Sequence, residues 1–186
     1  MLNEYYLPVL MEESENCFHS ARENFIKKEL KLAAEDFHKA SVYLRLQAGR
    51  AMEEGQEILL DSIRELDELA AKIEKGTAIS VAELDQAFSR AHQSLAQQHY
   101  LKAVKTKTVK GIDKIGYDLK AAAYHLERAI IWRGNNIDSD VKKNIETACL
   151  IAEQLVNEKE TNTREVNDIL DAIGKEIRKL EDKQKK

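Results

Sequence analysis

Apolar residues recur at alternating four- and three-residue steps through almost the whole chain, and a single proline interrupts its 186 residues. That spacing holds each apolar set on one stripe of a helix and leaves no alternation for half-buried strands. One stripe runs through Ile26, Leu30, Ala33, Phe37, Ala40 and Leu44, and the next through Leu59, Ile63, Leu66, Ala70 and Ile73. Others follow at Leu84 to Leu95, Ile115 to Ala129, Val141 to Leu155 and Val166 to Leu180. With 33% charged residues and only seven glycines, the chain has the balance of long amphipathic helices rather than of sheets with tight turns. The reading is an all-α protein, an up-and-down helical bundle formed as one domain over residues 1–186.

The breaks between stripes carry turn chemistry. Glu53-Glu54-Gly55 separates two stripes. Lys75-Gly76 reads as a helix stop, and Ser80 with Glu83 as a capping box. Lys110-Gly111 before Asp113 suggests a turn, as does Gly134-Asn135-Asn136 before Asp138 or Ser139, while Thr161-Asn162-Thr163 introduces the last helix. Pro8 suits a first helical position. Residues 27–31 hold no breaker, but the apolar stripe changes face there, which favours a hairpin over one continuous rod.

The segment ARENFIKK from Ala21 aligns with AQQHYLKA from Ala96, and DFHKASVYL from Asp36 with DLKAAAYHL from Asp118. The second offset exceeds the first by seven residues, one heptad, which lengthens a helix without turning its stripe. The expectation is an internal pseudo-repeat of two three-helix units, residues 8–75 and 80–159, with a C-terminal helix over 163–183.

A formal charge of −4 gives no field to attract a phosphate backbone, so nucleic acid is not expected as a partner. No run of 18 apolar residues suggests a membrane span, and the N-terminus lacks the pattern of an export signal. The chain as written therefore reads as cytoplasmic, with a periplasmic location as the alternative if Met1 begins an already processed form. Cys17 and Cys149 fit no CxxC spacing and read as free thiols.

The residues with chemistry are few. His92 and His99, in FSRAHQSLAQQHYLKA, lie two turns apart on one side of a helix and are the candidate metal or haem ligands. The bland alternative makes them boundary residues bonded to neighbouring helices. Cys17 and His19, near the aligned place in the first unit, could complete such a site. Glu35-x-x-His38 is a lone ExxH with no counterpart in the second unit, which does not favour a di-iron centre. No glycine-rich phosphate loop or nucleophile elbow is present, so no catalytic residue is assigned and an enzyme is not expected. Lys102, Lys105, Lys107 and Lys110 form a basic run that, with Trp132, is a candidate interaction patch.

The segments AELDQAFSRAHQSLAQQHYLKA and IGYDLKAAAYHLERA resemble a group of bacterial helical proteins that share FxRAHxxLAxxHxLKA and GYxLKAAAxHLExA, matching mainly residues 80–134. The resemblance implies a helical fold and a chain often preceded by an export signal, and it supplies no activity. The hairpins are also similar in outline to tetratricopeptide-like repeats. Together these readings point to a non-enzymatic helical module that binds a protein or peptide in a groove between the two units, with no cofactor. A metal- or haem-binding bundle and a self-associating structural protein are the alternatives.

Overall fold

The structure, a computed structural model, describes residues 7–106, 112–157 and 161–182. Among them are seven helices and no strand: α1 (Leu7–Ile26), α2 (Leu30–Ala48), α3 (Glu53–Glu74), α4 (Val81–Thr106), α5 (Ile112–Trp132), α6 (Ser139–Val156) and α7 (Thr163–Asp182). Each helix packs on the next in the up-and-down manner, and α4 also meets α1, α2 and α7. None of these helices is long and apolar enough to cross a membrane.

The helix ends follow local chemistry. The Ser80 backbone N–H donates to Glu83 Oε2 at 2.6 Å and the Glu83 N–H returns to Ser80 Oγ at 3.2 Å, a closed capping box ahead of α4. Asp138 and Asn162 cap α6 and α7 by accepting from Asp140 and Arg164 N–H groups. Gly76 and Gly134 end α3 and α5 at φ +65° and +74°.

The turn between α1 and α2 uses the same device without a glycine. Lys28 adopts φ +64°, its N–H reaching Phe25 O at 3.0 Å while the Glu29 N–H reaches Asn24 O at 2.8 Å. A left-handed conformation costs a side-chain-bearing residue more than glycine. Lys28→Gly is therefore expected to stabilise the fold by about 0.5–1 kcal/mol, read as a higher urea midpoint.

Two boundaries differ from the sequence reading. The break expected at Glu53-Glu54-Gly55 lies at residues 49–52, because Glu53 and Glu54 suit the positive first turn of α3. Gly55 serves a close approach: a Cβ there would lie 2.0 Å from Gln98 Oε1 of α4. Ile26, assigned to the α2 stripe, ends α1 and is exposed. The turn expected at Lys110-Gly111 lies outside the described residues.

The other stripes are buried as spaced, and they form two apolar clusters. One joins α1, α2 and α3 to the first half of α4, ending at Leu95, and takes in Trp132 from the end of α5. The other joins α5, α6 and α7 to the second half of α4, starting at Ala96. The α7 stripe from Val166 to Leu180 is covered within the chain. α5 and α6 cross so closely that a Cβ on Gly116 would lie 2.7 Å from the Ala152 carbonyl oxygen. Gly116→Ala should therefore cost about 1–3 kcal/mol, since the obstruction is backbone; thermal unfolding checks it.

Aligned positions of the proposed repeat make matching contacts. Asn24 of α1 donates to Asp36 of α2 at 2.9 Å, and His99 of α4, aligned with Asn24, bonds Asp118 of α5, aligned with Asp36, at 2.8 Å.

Candidate functional site

A central helix is covered on every side, so its polar positions are buried along with its apolar ones. In α4 all of Ala91 to Ala96 are buried, and His92 and His99 are 0% and 1% exposed. They sit where the two apolar clusters meet. Neutralising their polarity there requires partners from other helices.

α1 supplies the first partner. Glu15, three residues before the buried Phe18 and on the same face, enters the core and collects four groups. His92 Nε2 donates to Glu15 Oε2 at 2.7 Å, and Trp132 Nε1 donates to the same oxygen at 3.1 Å. His19 Nε2 donates to Oε1 at 3.0 Å, and the Arg128 guanidinium lies 3.8 Å from it. Burial alone would raise the Glu15 pKa. The His92 hydrogen bond and charge, the Trp132 donor and His19 outweigh it and hold the carboxyl at about 2.

α5 supplies the second. His125, 2% exposed, places its Nδ1 3.0 Å from His92 Nδ1. The tautomers follow from the partners. Ionised Glu15 only accepts, so His92 Nε2 carries a hydrogen. In a neutral His92 the Nδ1 is then a lone pair, and His125 Nδ1–H donates to it. Burial lowers the His92 pKa, opposed by the hydrogen bond and charge of Glu15. Burial lowers His125 further, and both facing imidazoles add to that effect.

His99 continues the array. Its ring lies nearly parallel to that of His125, with centroids 5.9 Å apart, and its Nδ1 donates to Asp118 Oδ1 at 2.8 Å. Its Nε2 is buried without a hydrogen-bond partner among the described residues. Lys102 is half-buried near this end; burial lowers its pKa, while Asp118 opposes the effect. The whole is a carboxylate, two bridged imidazoles, a stacked third and a second carboxylate, spanning α1, α4 and α5.

The network reaches the surface at two places. His19, with 58% of its side chain exposed, forms one outer end. At the other, His125 borders a pocket of about 10 Å³ with Ser14, Tyr43 and Gln47, room for about one water. The Tyr43 hydroxyl donates to Glu13 Oε2 at 2.5 Å, a bond that pushes its pKa up to about 12.

The expected ligand pair is therefore not convergent. His92 and His99 are joined through His125, each donates a nitrogen hydrogen to a carboxylate, and the described residues contain no group of three or more His, Cys, Asp or Glu arranged to hold a metal ion. Cys17 and Cys149 are free and half-buried. His38 lies 3.5 Å from Glu74 on the surface, away from the network. The candidate patch also changes. Trp132, which the sequence allows either to close the end of the core or to form part of the patch, is 7% exposed and donates its indole N–H to Glu15. Lys105 is exposed, while Lys107 and Lys110 lie outside the described residues.

Sequence reasoning missed Glu15, Asp118, His125 and Arg128. Their available signal was position: Glu15 and His125 are polar residues on faces otherwise given to the core.

Beside the network lies a cleft of about 420 Å³ between α1, the start of α4 and the end of α5. His19, Arg22, Asp85, Ile131, Trp132 and Arg133 are among its lining residues. Arg22 Nε donates to Asp85 at 2.7 Å across it. Arg133 donates to the Leu180 carbonyl at 3.3 Å and has no carboxylate within ion-pair distance among the described residues. No family model matches the chain, and no curated protein or solved structure shows significant similarity to it.

Proposed function

We propose that this chain is a non-enzymatic helical binding protein that takes a protein or peptide segment in the cleft between α1, α4 and α5. The observation that carries the reading is the cleft itself. Its volume of about 420 Å³ suits a few side chains of a partner. Ile131, 42% exposed at its rim, offers an apolar contact. Arg133 offers a cation without a carboxylate partner among the described residues, in a setting where burial and nearby Arg90 already lower its pKa. An acidic group on the partner would relieve that unfavourable charge. The cleft lies where α1 meets the start of α4 and the end of α5, the kind of concavity that packed helical units leave.

The test is selection from a displayed random-peptide library on the folded chain. The reading expects retained peptides rich in acidic residues, with affinity at least tenfold weaker for Ile131→Asp and Arg133→Glu variants of unchanged helicity. Equal binding by both variants would overturn it. Loss of binding in Lys105→Glu alone would move the surface to the basic run at the end of α4.

A further inference from the structure

We infer that the His92–His125 bridge is a proton-operated latch, closed while one proton lies between the two Nδ1 atoms and released when both imidazoles are fully protonated. The geometry sets the capacity. Two nitrogens 3.0 Å apart share one hydrogen as a hydrogen bond. A hydrogen on each would point two N–H groups at one another and leave neither with an acceptor.

Protons arrive in two steps. The first added proton takes the remaining lone pair on His125 Nε2, and every bond of the network survives. The second takes His92 Nδ1 and removes the bridge. Neither ring has an easy way to turn. His92 is held by Glu15 on one side and by the edge of Phe18 on the other, with centroids 5.1 Å apart. His125 lies between the rings of His99 and Tyr124. The strain therefore falls on the helices.

The groups facing the pair decide the sign. From α1 come Glu15, which favours the first charge, and His19, which opposes it. From α4 comes His99, and from α5 come Arg128 and, beyond His99, Asp118. From α2 comes only Tyr43, across the small pocket. Glu15 is already satisfied by His19, Trp132 and Arg128. Among the described residues no carboxylate bonds His125, so Glu15 alone, bonded to His92, faces two adjacent imidazolium charges. Release parts α5 from α4, and from α1, which is tied to His92 through Glu15; the bond it breaks next is Trp132 to Glu15.

That bond supplies the readout, since Trp132 is the sole tryptophan of the chain. Emission of Trp132 and far-UV circular dichroism are followed together from pH 8 to pH 4. The latch predicts a red shift of the emission below pH 6.5 while helicity is retained. In His125→Asn, which keeps a polar side chain but cannot titrate, that transition should vanish or move down by more than one pH unit, whereas His38→Gln, on the surface away from the network, should leave it within a few tenths of a unit. Emission and helicity changing together at every pH in the unmodified chain would overturn the latch whether or not the variant folds. So would an unchanged transition in folded His125→Asn.

Discussion

Replacing Glu15 with leucine is expected to cost about 2–6 kcal/mol. The carboxylate accepts from His92 and Trp132 in the core, and each buried donor left without an acceptor costs roughly 1–3 kcal/mol. Leucine matches the size of the side chain but accepts nothing, so improved apolar contact recovers only part of the loss. Glu15→Gln retains one acceptor oxygen and should cost about 1–2 kcal/mol by the same reasoning. Urea unfolding of the three chains separates these cases. A leucine variant as stable as the parent would mean that Glu15 is not the hub of the network.

Acid should weaken the fold well before the carboxylates protonate. His92 and His125 both titrate below the ordinary histidine value in the folded chain, chiefly because they are buried. The unfolded chain therefore binds more protons than the folded one once the pH drops below about 6.5, and stability is lost as pH falls. Two imidazoles that stay neutral in the fold but charge in the unfolded chain give a slope of up to about 2.7 kcal/mol per pH unit below that value. Glu15 contributes in a separate window. Its carboxyl is held at about 2 against an ordinary 4.5, so its contribution is present above pH 4.5 and fades only as pH falls toward 2. Urea midpoints measured at half-unit steps from pH 8 to pH 4 should be flat above pH 7 and fall steeply below 6.5. A midpoint constant down to pH 5 would contradict the neutral, buried imidazoles.

The helical stripes were legible because burial of one face imposes the same step on every helix. Leu59, Ile63, Leu66, Ala70 and Ile73 were all placed by spacing and are all buried. Caps were legible where a residue type has one local use, as with Ser80 and Glu83. The α1–α2 turn showed only as a change of face, since Lys28 takes a conformation that its side chain does not advertise. The network was hidden for a different reason. Periodicity says which face of a helix is buried but not which helix covers it, and Glu15 reaches His92 and Trp132 across 77 and 117 residues of sequence. His92 and His99 stood out as a pair on α4, but His125, the residue that joins them, lies on α5. Their two-turn spacing, too long for one small ion, suggested two separate sites, a larger ligand such as haem, or two boundary residues. The central place of α4 instead gives them a common imidazole and a carboxylate each.

The core holds neutral imidazoles with fixed tautomers, which nitrogen-15 NMR of histidine-labelled protein at pH 7.5 reads out residue by residue. His92 is expected to be neutral with its hydrogen on Nε2, and His125 neutral with its hydrogen on Nδ1. Imidazolium signals from both residues at that pH, or the same tautomer on both, would contradict it.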